Sequence, residues 1–243
     1  MNPSKWREIN YPSLTNDYTM SLEIQTIQLK IMSGLATVNC YLLISGENYL
    51  LIDSGHSSKQ DELDGKLRQA GCQAGDLKLV LLTHGDSDHA GNCAFLRDKY
   101  EAPVAMHQAD SGMVTQGDML YNRRGNLLSR IISPFMGLGK RHRFIPDFYV
   151  EDAYHLLPYG VEARVVHLPG HSAGSIGVLT SEGHLFCGDL FTNTKEPALG
   201  AIMDDEAAAR ASVERLKEMD IKYVYPGHGD PFPWKLLEEG IGL

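Results

Sequence analysis

No stretch of the 243 residues approaches the roughly 20 consecutive apolar residues that cross a bilayer as a helix. The opening MNPSKWREINYPSL carries a lysine but no apolar core before the polar TNDYT, so nothing reads as a secretion signal. Membrane and exported classes are set aside on this ground, and the cytoplasm is the expected compartment. Cysteine is scarce as well. Cys40, Cys72, Cys93 and Cys187 form no CxxC pair and sit in strand-like or helix-like runs, which reads as reduced, partly buried thiols. Basic charge is also short, with 22 Lys and Arg against 31 Asp and Glu and a formal net charge of -9. An acidic chain repels phosphate backbones, so a nucleic-acid partner is not expected.

What is present is an apolar share of 43%, enough for a sizeable core, with strand and helix signals in alternation. LEIQTIQLKI (22–31), NCYLLIS (39–45) and YLLID (49–53) are β-rich with no helix between them, which predicts antiparallel neighbours. A helical spacing follows at Leu63, Leu67 and Ala70, stopped by Gly71. LKLVLLT (77–83) is a continuous apolar run, the mark of a strand covered on both faces. NCAFLRDKY (92–100) reads as a short helix and PVAMH (103–107) as a strand. In the second half, 161–168, 175–181, 184–189 and 221–226 read as strands and 204–219 as the strongest helix, with acidic residues at its start. Two strand-rich halves, each closed by helix, predict two sheets packed face to face with helices outside.

Residues 108–160 break this rhythm with methionines, aromatics and a run of six Lys and Arg (Arg123, Arg124, Arg130, Lys140, Arg141, Arg143) without an acid between Asp118 and Asp147. Met113, Met119, Leu120, Tyr121, Phe135 and Met136 are candidates for an apolar cleft, with Arg123 or Arg124 meeting an acidic group; packing on the core is the plainer alternative. LLSRIISPFMGLGK is a candidate contact for a second copy in a homodimer.

The chemistry concentrates in THGDSDHAG (83–91), directly after the apolar strand. His84, Asp86, Asp88 and His89 fall within six residues there. Imidazoles and carboxylates are the ligands that zinc, iron and manganese accept, and carboxylates crowded this closely repel unless a cation compensates them. The same grammar of apolar strand, ligand-type residue and Gly or Pro recurs at VVHLPGHSAGS with His171, at HLFCGDLF with Asp189, and at YVYPGHGDPF with His228. Four such strand ends meeting at one edge of a layered fold make a single site.

In order and spacing, LIDSG (51–55), THGDSDHAG, PGHSAGS, the Gly188-Asp189 pair and PGHG (226–229) resemble the five motifs of the metallo-β-lactamase superfamily, over roughly residues 22–230. The resemblance implies an α/β fold, an αββα four-layer sandwich of two mixed sheets, forming one domain over 1–243 with a variable cap inserted at about 108–160. It implies two divalent metal ions, zinc first, with His84 and His171 on one, Asp88, His89 and His228 on the other, and Asp189 between them. Asp53 would support the site without binding metal. The implied activity is hydrolysis of an ester, thioester or lactone bond of a small molecule by water activated between the metals, with Asp88 orienting that water and moving its proton.

One position departs from the family pattern H-x-H-x-D-H, since Asp86 stands where the second histidine belongs. As a ligand, Asp86 gives the first metal a harder donor set and shifts preference toward iron or manganese, as in flavodiiron relatives that carry glutamate there. The other reading is that a side chain this short does not reach. A di-iron redox protein, a nuclease and a non-catalytic metal binder of the same fold are the alternatives to hydrolysis. His56, His107, His142, His155, His167, His184 and Cys187 are left out of the ligand set.

Overall fold

A computed structural model describes residues 21–123 and 137–240. Arg124, Arg130, Phe135, Met136 and most of the candidate dimer contact lie outside the described residues. Among the described residues, no helix is long and apolar enough to cross a membrane.

The first sheet begins with β1 (Glu23–Ile31), β2 (Ala36–Ser45) and β3 (Asn48–Ile52), antiparallel neighbours as their short connections demand. It continues in parallel through β4 (Leu77–Leu81), β5 (Val104–Met106) and β6 (Phe148–Tyr149). Parallel pairing needs crossovers, which α1 (Gln60–Gln69) and α3 (Cys93–Tyr100) supply. Alternation along β4 explains its unbroken apolar run. Leu79 and Leu81 point into the space between the sheets, while Val80 and Leu82 pack beneath α1 and α3 with Leu63, Leu67 and Leu96.

The second sheet has the order β12-β11-β9-β8-β7, from β7 (Ala163–His167), β8 (Ile176–Thr180), β9 (His184–Asn193), β11 (Tyr223–Gly229) and β12 (Phe232–Pro233), with β10 (Ala198–Leu199) paired to β9. Its outer face is covered by the helix Glu206–Lys217, which Asp205 caps by accepting from Ala208 N, and by Trp234 and Leu237. Its inner face meets the first sheet through Val165, Val178 and Phe186 against Tyr41, Leu43 and Leu50. Helix, sheet, sheet and helix therefore stack in four layers, as the alternation of signals predicts.

A buried carboxylate secures the outer face of the first sheet. Asp64 of α1 accepts from Lys99 Nζ at 2.6 Å, Tyr100 Oη at 2.8 Å and Arg68 Nε at 3.1 Å. Burial alone would raise its pKa, but the Lys99 and Tyr100 hydrogen bonds and the two cations outweigh it and hold the group below the usual carboxylate range. A depressed folded-state pKa adds stability that is fully present above the unfolded value near ~3.9 and is lost as pH falls through the folded value. Chemical denaturation of Asp64→Asn should show a loss of about 1–2 kcal/mol at pH 7, shrinking once pH falls below the unfolded value near ~3.9 and on through the lower folded one. A difference independent of pH would contradict this ion pairing.

Candidate metal centre

The strand ends named by sequence meet at one edge of the two sheets. After β4 the chain passes through Thr83, His84 and Gly85 to Asp86, the N-terminal flank of the single turn α2 (Ser87–Ala90) that carries Asp88 and His89. His171 lies in the loop between β7 and β8, Asp189 within β9, and His228 within β11. Three groups of donors come within 4.8 Å of one another: His84, Asp86 and His171; His84, His89 and Asp189; and Asp88, His89 and His228. All seven sequence candidates are thus brought together. Asp86 reaches, with Oδ2 at 3.1 Å from His171 Nε2 and 3.7 Å from His84 Nε2. Asp189 is central, with Oδ1 at 3.3 Å from His89 Nε2 and Oδ2 at 3.4 Å from His228 Nε2 and 4.0 Å from His84 Nε2.

The hydrogen bonds behind the four imidazoles fix how they face. His171 Nδ1 lies 2.8 Å from the Ile202 carbonyl, and His228 Nδ1 lies 2.6 Å from the Thr37 carbonyl. His89 Nδ1 lies 2.8 Å from Asp53 Oδ2. Carbonyls and carboxylates only accept, so each of these Nδ1 atoms carries the proton. The Thr83 hydroxyl donates to Asp53 and so accepts from His84 Nδ1 at 2.9 Å. All four Nε2 atoms therefore turn toward the shared centre. Among the described residues, His84 Nε2, His89 Nε2 and Asp189 Oδ1 are buried without a hydrogen-bond partner. Burying such atoms unpaired is costly, and a cation they ligate satisfies all three. The donors present fit a pair of divalent cations.

Charge in the pocket agrees. Burial drives the His84 pKa well down, with His89 and His171 pushing in the same direction. Burial also works against the charged form of His171, but Asp86 outweighs it and raises its pKa to about 9. Asp189 would be raised by burial, yet His89 and His228 hold it well below the usual carboxylate range. His84 is thus kept neutral, as a ligand nitrogen must be, while the carboxylates Asp86 and Asp189 stabilise positive charge beside it.

Local backbone explains the precision. The bulge at Gly188 (φ 52) lets Cys187 pack in the outer core while Asp189 faces the site; strict alternation would turn both to one side. Gly188 also lies against Thr83, where a Cβ would come within 2.7 Å of its hydroxyl. Asn39 and the Tyr41 hydroxyl donate to the Pro226 carbonyl at 3.0 and 2.6 Å, and Asn39 donates to that of Gly229 at 2.6 Å, pinning the loop of His228.

Two residues of the site's frame, Asp110 and Arg123, stand apart from the reading of the sequence, which does not single out the first and gives the second to a substrate's acidic group. Asp110 accepts from Ser172 Oγ at 2.6 Å, Gly174 N at 2.8 Å and Gly85 N at 3.2 Å, locking the His84 and His171 loops together. Arg123 meets acids of the protein itself rather than of a substrate, with NH1 donating to Asp86 Oδ1 at 2.8 Å and Nε 2.8 Å from Asp204 Oδ2. The sequence signal was only a basic run. Of the histidines left out, His107 and His167 stack at 4.4 Å in the frame, and His56 bonds Ser58. Of the apolar candidates among the described residues, Met113 lies buried against Gly85, and Met119 Sδ accepts from Ser87 Oγ. A cleft of about 420 Å³ beside His171, Asp189 and His228 is walled instead by Leu35, Thr37, Phe191, Thr192 and Ile202.

Asp53 is the clearest positioning residue, gripping His89 Nδ1, Thr83 N and the Thr83 hydroxyl from a left-handed backbone at φ 59. Asparagine tolerates that conformation, so Asp53→Asn isolates the charge. Its metal affinity, measured by chelator competition, should fall roughly 10–100-fold with the fold retained. Unchanged affinity would remove Asp53 from the account.

The family model described as the metallo-beta-lactamase superfamily matches residues 33–228. The chain is 24% identical over 214 residues to "Probable metallo-hydrolase YqjP" of Bacillus subtilis, covering 78% of this chain and 66% of that protein, just under two thirds. It is 24% identical over 208 residues to "Probable metallo-hydrolase YflN" of the same organism, covering 77% and 78%. Among solved structures, that of TTHA1623 in a di-iron-bound form is similar with a TM-score of 0.68 and 27% identity, over 88% of this chain and 96% of that one. The BLEG-1 B3 metallo-beta-lactamase shares the fold with a TM-score of 0.70 at 21% identity, over 89% and 97%.

Proposed function

The chain belongs to the metallo-beta-lactamase superfamily, and from that premise we propose that it is a dinuclear metal-dependent hydrolase acting on an ester, thioester or lactone bond of a small molecule. His84, Asp86 and His171 would hold one divalent ion, Asp88, His89 and His228 the other, with Asp189 serving both. The observation that carries this reading is the common orientation of the four imidazoles, each tied at Nδ1 with Nε2 turned to the shared centre. When bound, two such cations lower the pKa of water and polarise a carbonyl oxygen.

The chain's own residues supply the rest. Asp88 is about a quarter exposed, with Oδ2 3.5 Å from His228 Nε2. It is the most open of the site's carboxylates and stands where a proton can be taken from water and passed to a leaving group. Leu35, Phe191 and Ile202 give the neighbouring cleft apolar walls, and among the described residues no Lys or Arg lines it. Such walls favour a neutral group beside the scissile bond over a phosphorylated one.

A panel of aryl esters of increasing acyl length, thioesters and lactones tests the reading, with phosphoesters as controls. Metal-loaded protein should cleave neutral carbonyl substrates, with KM falling as the acyl chain lengthens. Chelation should abolish turnover and added metal restore it. Protein carrying two metals that cleaves none of them would refute the assignment.

A di-iron redox centre is the second reading, favoured by two carboxylates beside the first pair of imidazoles and by the di-iron-bound TTHA1623 structure. Protein produced with ample iron and purified without oxygen should then retain iron; zinc alone would count against it.

A further inference from the structure

Arg123 is an expensive residue to place beside a cation site. Its side chain is only 8% exposed, and its guanidinium lies against Asp86, Asp204 and the carbonyl of His171, the last at 3.2 Å. A buried guanidinium beside imidazoles that cluster to bind a cation repels that cation unless it does something else. What it does is visible in how the Asp86 carboxylate is divided. Oδ1 accepts from Arg123 at 2.8 Å, while Oδ2 alone faces His171 and His84.

We propose that Arg123 is the positioning residue of the first centre, holding Asp86 Oδ1 so that a single carboxylate oxygen is presented to the His84–His171 pair. This rests on the dinuclear reading above. Two consequences follow from the geometry. First, Asp86 is a short side chain, and a fork donor on its far oxygen fixes the rotation that brings the near one into line. Second, exchanging the family's second histidine for aspartate adds one negative charge, and Arg123 adds one positive charge 2.8 Å away. Taken alone, the Asp86–Arg123 pair is charge-neutral, as an imidazole is. Asp204 Oδ2, which lies 2.8 Å from Nε of the same guanidinium, carries a further negative charge.

Cobalt(II) reports on this directly, because its visible absorption depends on the donors around each ion and needs no substrate. Apo protein is titrated with cobalt, and ions per chain and the spectrum are followed in four proteins: wild type, R123M, D86H/R123M and D204N. Wild type should take up two ions. R123M should bind at the first centre roughly 10–100-fold more weakly, as expected when the group orienting a ligand is lost, with a changed spectrum and the second centre intact. The double variant should recover two tightly held ions, since a neutral imidazole needs neither the fork nor the counter-charge. D204N, in which an amide oxygen still faces the guanidinium, should match wild type.

Two ions bound with a wild-type spectrum in R123M would overturn the role of Arg123 while leaving the dinuclear reading in place. Fewer than two ions in wild type would strike at that reading and take this inference with it. If R123M fails to fold, the double variant decides: folding with two ions supports the proposal, and failure to fold shows that Arg123 serves the fold alone.

Discussion

Asp189→Ala should abolish hydrolysis and empty both centres. Its oxygens lie 3.3 to 4.0 Å from three imidazole Nε2 atoms, those of His84 and His89 after β4 and of His228 on β11. Removing it leaves His84, His89 and His228 without the one carboxylate they share, so a cation in either place loses a ligand and part of its charge compensation. The expected fall in kcat/KM is at least about a thousandfold, some 4 kcal/mol of transition-state stabilisation. Elemental analysis should find bound metal reduced from two ions per chain to less than one. Asp189→Asn separates the causes, since it keeps the shape and removes the charge; it should resemble alanine in metal content. Activity within tenfold of wild type in both variants would contradict the arrangement.

Gly227→Ala should cost nearly as much without replacing any proposed ligand. A Cβ at Gly227 would overlap Asp189 Oδ1 and lie 2.6 Å from His89 Cε1. His89 is fully buried and tied at its other side to Asp53, so it has little room to retreat. The methyl group must therefore displace the two side chains that face both centres. Overpacking of this kind costs about 1–3 kcal/mol in stability, and a shift near 1 Å in reacting groups costs roughly a hundredfold in rate. Activity should fall about 100- to 1,000-fold while thermal unfolding stays cooperative. Gly65→Ala is the matched control. Its Cβ meets nothing within 4 Å in the middle of α1, and the change should leave activity intact and add roughly 0.5–1 kcal/mol of stability. Equal activities in the two variants would mean that the cradle around His89 is looser than it stands in the structure.

The layered fold was legible because each longer strand carries its own signature. The run at Leu77–Leu81 is apolar on both faces, β2 is buried along most of its length, and the helix Glu206–Lys217 keeps Ala209, Val213 and Leu216 on one face. The two-residue strands β6, β10 and β12 offer no period to detect; their pairing is imposed by neighbours. At the site, His84, Asp86, His171, Asp189 and His228 each stand beside a glycine at or near a strand end, and Asp88 and His89 follow within three residues of Asp86, so the local sequence marks them. The frame residues carry no such mark. Asn39 reaches a carbonyl 190 positions away, and Asp110 bridges loops 25 and 64 positions from it. Arg123 looked like one member of a basic run, and only the fold sets it 2.8 Å from Asp86. Whether Asp86 reaches the first centre was likewise undecidable from its length. Its place at the N-terminal flank of α2, with Arg123 behind it, is what directs Oδ2 to His171.

If strand ends gather donors around two cations, anomalous diffraction from crystals of metal-loaded protein shows it most directly. Two peaks are predicted, one among His84, Asp86 and His171 and the other among Asp88, His89 and His228, with Asp189 touching both. A single peak, or metal bound anywhere else on the chain, would contradict it.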